Sequence, residues 1–366
     1  MHIPDGYLSL STCAATYAAA MPFWAVALRR VQRLLHTRLV PLLAVFSAFA
    51  FVIMMFNLPL PGGTTGHAVG VGIAAVMLGP WAAMLALSIA LLIQAVFFGD
   101  GGITTLGANC FNMAIVGSLA AYGVYRLIAG RAEIAATRRV VAAALAGYVA
   151  INVAALLTAV EFGIQPMLFH DAAGTPLYAP YPLPIAIPAM MIGHLGFAGL
   201  AEALITGGLV AYLQRTDPTL LRLTAPGASD PDEDIVPTVA SRGGWLATRT
   251  LWATVAVLMI LTPLGLLATG IAWGEWGAGD FADPVLRSQI AAASNQPPPE
   301  QVPAGLERLA SLWTAPLPDY APTFIRSPAL GYILSAMAGT GLIILSFLLA
   351  GWLTGKVRSR GLPTAG

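Results

Sequence analysis

Long apolar stretches alternate with short polar or Pro/Gly-rich breaks along most of the chain. A helix needs about 20 predominantly apolar residues to cross the hydrocarbon core of a bilayer. By that criterion the pattern predicts nine helical segments, at approximately residues 10–29, 39–57, 67–79, 80–98, 104–128, 139–162, 182–214, 248–272 and 329–354. The third segment is short and meets the fourth at Gly79-Pro80, so we expect it to be a half-helix.

A proline-rich, acidic stretch separates the first seven segments from the last two. Residues 215–247 surround the acidic run Asp230–Asp234 with prolines and glycine, a composition typical of a solvated linker. We therefore predict a transmembrane domain over residues 1–214, a cytoplasmic linker over 215–247 and a two-helix module over 248–366. The last of these contains a long loop, residues 273–327.

Composition agrees with a membrane protein and narrows the function. Hydrophobic residues make up 57% of the 366 residues and charged residues only 10%, against roughly 25% charged in soluble domains. The net charge of +1 and the lack of a basic stripe argue against nucleic-acid binding. Cys13 and Cys110 lie in apolar helical segments and are expected to be free buried thiols. No basic residue precedes Arg29, so the chain does not start like a secretory signal and we expect the amino terminus to be retained.

The distribution of basic residues predicts the orientation, because lysine and arginine gather on the cytoplasmic side. An alternating nine-span arrangement places 15 of the 18 on one side. They are Arg29, Arg30, Arg33, Arg38, Arg126, Arg131, Arg138, Arg139, Arg215, Arg222, Arg242, Arg249, Lys356, Arg358 and Arg360. The remaining Arg287, Arg308 and Arg326 fall in the long loop. The amino terminus, the loop around residue 67 and the long loop are then all extracytoplasmic. We therefore predict an all-α integral membrane protein of the cytoplasmic (inner) membrane, with a seven-helix bundle and a two-helix C-terminal module.

Two histidines predict a metal site on that outer face. His2 offers one ion three nitrogens, from the Met1 amine, its own main-chain amide and its imidazole, and His67 in a Gly/Thr-rich loop offers a fourth. Each histidine alone is more often an ordinary terminal or loop residue. Four nitrogens in one plane suit Ni(II), Cu(II) or low-spin Co(II), and not Zn(II), Mg(II) or Ca(II). The predicted metal ligands are Met1, His2 and His67. Their donors must be unprotonated, so binding should weaken in acid.

Other polar residues within the segments are open to more than one interpretation. His194 and Glu202 lie eight residues apart on the seventh segment, and Glu161 lies near the outer end of the sixth. Ionisable groups inside a membrane are functional candidates. His194 and Glu202 are expected to bond to a neighbouring helix or a partner subunit, with direct metal ligation or a proton relay as the alternatives. Asp100 is expected to cap the following helix, with ordering of the metal-site loop as the alternative. Asp5 and Gly6 are expected to shape the turn after the terminus.

The chain lacks the motifs of an enzyme. It has no Gly-x-x-x-x-Gly-Lys-[Ser/Thr] phosphate loop and no His-Glu-x-x-His zinc motif. We predict no catalytic residue and no cofactor, and any ATP hydrolysis must come from partner subunits.

Four stretches together resemble the nickel/cobalt substrate-capture membrane subunit of energy-coupling-factor transporters. They are Met1–Leu8, Asn57–His67, Gln94–Asn109 and Gly193–Glu202. The tail, with Thr262–Leu266 and Trp273–Gly277, resembles the small two-span accessory subunit of those systems, although its outer loop is longer. The resemblance implies a seven-helix capture domain whose metal is held by the same Met1, His2 and His67 donors. It also implies a separate coupling transmembrane subunit and cytoplasmic ATPase subunits as partners.

These observations predict high-affinity uptake of Ni²⁺ or Co²⁺, with nickel favoured by coordination preference and by the fused arrangement. Two other functions stay open: a structural or assembly subunit of a membrane complex, and a proton-relay subunit that uses His194 and Glu202. Loss of metal binding on extending the amino terminus would separate the first from the others.

Overall fold

Helices account for nearly all of the regular structure. The computed structural model describes residues 1–31, 40–61, 63–218, 220–221 and 248–360, with only the backbone for 354–360. The longer helices are α1 (Leu10–Val31), α2 (Val40–Met54), α3 (Val71–Leu78), α4 (Pro80–Phe98), α5 (Leu106–Ala129), α6 (Thr137–Leu168), α7 (Leu183–Thr216), α8 (Arg249–Leu267) and α12 (Pro328–Arg360). Over the described ranges, seven helices are long and apolar enough to cross a membrane. The predicted all-α membrane fold is confirmed.

The third segment forms a short helix, as its length suggested. α3 has eight residues, which span about 12 Å at 1.5 Å per residue, far less than a bilayer core. It ends at Gly79, whose φ of 73° turns the chain, and Pro80 starts α4 at a position where its missing N–H costs nothing. Gly70, with φ of 75°, precedes α3, so the helix begins four residues later than residue 67.

A small β-hairpin precedes α3, where the sequence predicts only a loop. Strands β1 (Leu58–Leu60) and β2 (Thr64–Gly66) pair antiparallel, with Leu58 opposite Gly66 and Leu60 opposite Thr64. His67 follows β2 directly. The hairpin therefore places this histidine at the junction between a strand and a helix.

Three of the long helices contain a widened π-helical turn, which hydrophobic periodicity does not predict. These turns are Gln94–Phe98 in α4, Cys110–Val116 in α5 and His194–Ala198 in α7. Such turns often occur at functional sites. Two of them lie in stretches that the sequence analysis singled out, around residues 94 and 194.

The long loop between α8 and α12 contains short helices rather than one regular element. They are α9 (Ala278–Ala282), α10 (Pro284–Ser294) and α11 (Ala304–Ala310), followed by a 3₁₀ turn at Pro318–Tyr320. The two-helix module packs on α2. A Cβ at Gly339 of α12 would lie 2.1 Å from Phe51, and one at Gly265 would lie 2.1 Å from the Met55 carbonyl oxygen.

Part of the predicted linker and part of the charge pattern lie outside the described residues. This applies to residues 222–247, including Asp230–Asp234, and to Arg33, Arg38, Arg222 and Arg242. For Lys356, Arg358 and Arg360 only the backbone is described. The division into residues 1–214, 215–247 and 248–366 and the orientation in the membrane stay predictions.

Small residues let α3, α6 and α7 approach closely. A Cβ on Gly72 of α3 would lie 2.5 Å from the Gly147 Cα of α6, and a Cβ on Gly147 would lie 2.7 Å from the Thr206 hydroxyl of α7. The three backbones therefore meet at a point that no larger side chain can enter.

Gly147→Ala should lower the thermal stability of the detergent-solubilised protein. The added methyl overfills this contact, at a cost of about 1–3 kcal/mol. Gly208→Ala, on α7 in open space, is the matched control and should be neutral or stabilising by up to about 1 kcal/mol. Thermal unfolding followed by circular dichroism measures both, and equal midpoints would contradict the packing account.

Candidate metal centre

The first residues of the chain are buried and are held through their backbone. Asn109 of α5 accepts a hydrogen bond from the Ile3 amide at 2.8 Å and donates one to the Ile3 carbonyl at 3.0 Å. The same carbonyl accepts from Gly102 N at 2.9 Å and from the Thr105 hydroxyl. Both main-chain groups of Ile3 are thus satisfied, and the two residues before it are directed into the protein interior.

Asp5 and Gly6 shape the turn that follows. The Asp5 carboxylate accepts hydrogen bonds from the main-chain amides of Ile103 and Thr104, at 3.0 and 2.7 Å. Gly6 has a φ of 92°, and a Cβ there would lie 2.6 Å from the Leu306 Cα. The turn therefore needs a glycine, and the carboxylate that binds the free amides ahead of α5 is Asp5 rather than Asp100.

His67 presents one free ring nitrogen. Its Nδ1 lies 3.1 Å from the Ala68 carbonyl, which can only accept, so Nδ1 carries the proton and Nε2 keeps its lone pair. Burial, with the positive charge of the nearby amino terminus, lowers the pKa of His67 well below its usual value. The ring is therefore neutral, which is the form that binds a metal.

His2 lies next to His67, with 5.0 Å between the ring centroids. Its Nδ1 is 3.0 Å from Asp100 Oδ1, an ion-pair distance that does not meet hydrogen-bond geometry. Its Nε2 is buried without a hydrogen-bond partner among the described residues. Residues 65 positions apart are thus brought together as the sequence predicted.

Asp100 does not cap the following helix, contrary to the expectation. Its Oδ2 accepts a hydrogen bond from the Tyr320 hydroxyl at 2.6 Å and one from Gln94 at 3.2 Å. Burial by itself raises the pKa of Asp100, but the charge of His2, with smaller contributions from His67 and Tyr320, holds that pKa below its ordinary value. The group therefore stays a carboxylate beside His2.

The C-terminal module reaches the same place. The Met1 amine donates to Glu275 Oε1 at 2.9 Å, and the Met1 and Glu275 side chains are 1% and 22% exposed. A cavity of about 290 Å³ lies here, with walls from both modules. Those relevant to metal chemistry are His2, Met54, Met55, His67, Asp100, Glu275, Asp319 and Tyr320. Three carboxylates give the cavity a negative potential, which attracts cations.

Within the described part of the chain, no three His, Cys, Asp or Glu side chains are disposed to hold a metal ion. The predicted set combines the terminal amine and a main-chain amide with two imidazoles, so a count of side chains alone does not register it. Of its members, the structure places the His2 and His67 rings next to each other.

The other polar candidates hydrogen-bond elsewhere. Glu202 accepts from main-chain amides at the start of α3. The His194 ring nitrogen Nδ1 lies 2.8 Å from the Met190 carbonyl of its own helix, and Glu161 accepts from Asn112 at 2.8 Å. No hydrogen bond joins His194 to Glu202 in the described residues. The Glu202 and Glu161 contacts agree with structural hydrogen bonds to neighbouring elements, whereas the His194 contact stays within its own helix.

Glu275 and Tyr320 were not predicted as part of the site. Glu275 lies in Trp273–Gly277, a stretch singled out in the sequence, but nothing in that stretch indicates a contact with Met1, 274 residues away. Tyr320 sits on a 3₁₀ turn in the long loop and carries no motif. Only the packing of the two modules reveals them.

The fold and the site define a multi-pass α-helical membrane protein with a polar cavity that receives its own amino terminus. The chain belongs to the family described as the cobalt uptake substrate-specific transmembrane region, CbiM, which matches residues 2–220. A PDGLE domain matches residues 248–356.

Relatives share the whole length of the chain. The fused nickel transport protein NikMN of Rhodobacter capsulatus is 55% identical over 99% of this chain and 100% of its own. The probable fused nickel transport protein LarMN of Lactiplantibacillus plantarum is 39% identical over 96% of this chain and 97% of its own. A crystal structure of a truncated transition metal transporter is 55% identical, with a TM-score of 0.55, over 58% of this chain and 98% of that one.

Asn109→Ala should loosen the amino-terminal arm. It leaves two buried main-chain groups of Ile3 with fewer partners, at about 1–3 kcal/mol each, so hydrogen exchange at the Ile3 amide should accelerate by about tenfold or more. Asn152→Ala is the control, because Asn152 donates only to Tyr148 on its own helix. Mass spectrometry measures the exchange rate. If this rate in both variants equalled that of the unaltered protein, the anchoring role of Asn109 would be contradicted.

Proposed function

We propose that this protein captures Ni²⁺ or Co²⁺ for uptake, as the substrate-binding subunit of an energy-coupling-factor transporter in the cytoplasmic membrane. The ion is held by the Met1 amine, the His2 amide and imidazole, and Nε2 of His67. The observation that carries the proposal is the pair of imidazoles at one cavity, with the rings 5.0 Å apart, beside Glu275, which binds the Met1 amine.

The chemistry of this donor set supports the choice of metal. Consecutive main-chain nitrogens form flat chelate rings, which suit tetragonal ions and disfavour Zn²⁺, Mg²⁺ and Ca²⁺. The affinity order places Ni²⁺ above Co²⁺ and Cu²⁺ above both. Relatives named for nickel transport and a family named for cobalt uptake support the same pair of substrates. Selection against copper in the cell then rests on metal availability.

Two carboxylates must change partners when the ion binds. The Met1 amine is paired with Glu275, and Nδ1 of His2, the ring nitrogen that can chelate together with its own amide, faces Asp100. The arriving cation replaces a proton on the amine, one on the His2 amide and, where the His2 ring is charged, the one on Nδ1, and both carboxylates remain nearby to balance its charge. The C-terminal module thus serves the capture domain directly, as an accessory unit.

Uptake needs further subunits in this proposal. The amino terminus faces outward, so the metal enters the cavity from outside the cell. A coupling transmembrane subunit and cytoplasmic ATPase subunits supply the work, because the sequence carries no phosphate loop. The alternatives, an assembly subunit and a proton relay, leave the convergence of these nitrogens unexplained, and His194 and Glu202 make separate hydrogen bonds.

Extending the amino terminus by four residues should abolish high-affinity Ni²⁺ binding. The extension turns the Met1 amine into an amide and crowds the cavity, so affinity should fall by at least about 100-fold, beyond the 10–100-fold typical of losing a group that only orients a ligand. Four residues are better than one, because a free amine with histidine at the third position is itself a tetragonal chelator.

The control for this variant carries the same four residues after Gly366. Equilibrium dialysis of the purified chain with Ni²⁺ measures binding, and intact-mass spectrometry confirms which residue is first. Unchanged affinity in the amino-terminal extension would remove Met1 from the site.

Metal uptake should require the partner subunits, whereas metal binding should not. The purified chain should bind Ni²⁺ with the same affinity with or without ATP. Cells that produce the chain alone should accumulate no nickel above background, whereas cells that also produce the coupling and ATPase subunits should. Strong ATP-independent accumulation by the chain alone would argue for a self-sufficient permease.

A further inference from the structure

Glu202 is a fully buried carboxylate that lies outside the metal cavity. Its Oε2 accepts hydrogen bonds from the amides of Val69 and Gly70, both at 2.8 Å, and its Oε1 accepts from the Gly72 amide at 2.9 Å. Both oxygens of one α7 side chain therefore bind the main chain at the start of α3.

These amides have no other suitable acceptor. The first N–H groups of a helix lack partners within it, and the residue that caps α3, Gly70, has no side chain to supply one. A carboxylate at this end also interacts favourably with the helix dipole, and its hydrogen bonds are stronger than those between neutral groups. Glu202 thus defines where α3 begins, from a distance of 130 residues or more in sequence.

The same junction sets the position of His67. The histidine lies between Gly66, paired with Leu58 in the hairpin, and Val69, held by Glu202. Only His67 and Ala68 connect these two anchored points. The ring is further oriented by its Nδ1 contact with the Ala68 carbonyl. A shift of Val69 would therefore move both the backbone of His67 and the carbonyl that directs its free Nε2.

We propose that Glu202 is a positioning residue for the metal site: by holding the amides of residues 69–72 it keeps Nε2 of His67 aimed at the ion. The inference rests on the proposed function, since it requires His67 to be a ligand. It also gives this buried glutamate a role distinct from a proton relay, because its oxygens are committed to main-chain donors.

Glu202→Gln tests the role with little change in shape. Glutamine has an NH₂ donor in place of one of the two acceptor oxygens, and this donor would face main-chain N–H groups. The main chain between His67 and the start of α3 should therefore shift. Purified full-length protein titrated with Ni²⁺ should bind about 10–100-fold more weakly. At saturation, the visible absorption band of the four-nitrogen complex should move toward the band of His67→Ala. Glu161→Gln, the same change at a partly buried glutamate, is the control and should leave affinity and band unaltered, because Glu161 accepts a hydrogen bond from Asn112 and none from residues 67–72 among the described residues.

A double-mutant cycle separates positioning from general destabilisation. If Glu202 acts through His67, then His67→Ala and His67→Ala/Glu202→Gln bind Ni²⁺ equally and give the same band. The inference would be overturned if Glu202→Gln lowered the Ni²⁺ affinity of His67→Ala by the same factor as it lowers that of the unaltered protein. It would also be overturned if Glu202→Gln by itself left the band and the affinity unaltered. If Glu202→Gln is not recovered folded, Glu202→Asp enters the same cycle, since its shorter side chain cannot reach all three amides.

The two proposals fail in different ways. Wild-type affinity and an unchanged band in His67→Ala would refute His67 as a ligand, and with it the proposed site. A weakened His67→Ala together with an unaffected Glu202→Gln would refute only the positioning role.

Discussion

The structure depends on burying a charged amino terminus inside a membrane protein. A buried polar group is costly unless it is hydrogen-bonded, and a buried charge requires a partner. Asn109 meets the first requirement by binding both main-chain groups of Ile3, and Glu275 meets the second by pairing with the Met1 amine. With these partners, the first two residues can occupy the interior next to His67. Without them, burial would leave the polar groups and the charge of the terminus without partners.

This constraint explains why the two modules act as one. Glu275 and Tyr320 belong to the C-terminal module, yet one contacts the terminal amine and the other the carboxylate beside His2. The module also packs tightly on α2, where Gly339 and Gly265 leave no room for side chains against Phe51 and Met55. Full-length relatives with both modules in one chain have the same arrangement of parts. Because both modules belong to one chain, Glu275 and Tyr320 reach the Met1 amine and Asp100 without a separate binding step.

Two carboxylates share one task in this protein, which is to satisfy main-chain amides where helices begin. Asp5 does so ahead of α5 and Glu202 does so at α3. In neither helix does the residue at the N-cap, Thr105 for α5 and Gly70 for α3, make a side-chain capping hydrogen bond. The carboxylates come from distant parts of the chain, so each hydrogen bond also joins two elements. This gives the loops around His2 and His67 defined positions although they contain little regular structure.

Hydropathy and donor chemistry are local properties, so the apolar segments, the all-α membrane fold and the candidate nitrogen donors can be read directly from the order of residues. That order also indicated the short α3, since Gly79-Pro80 interrupts the apolar run. The β-hairpin, the π-helical turns and the roles of Asp100, Glu202, Glu275 and Tyr320 were decided by tertiary structure. The hairpin and the widened turns depend on local main-chain hydrogen bonds that hydropathy does not report. The main partners of the four side chains lie tens to hundreds of residues away, and the packing of distant elements, not sequence spacing, selects which groups meet.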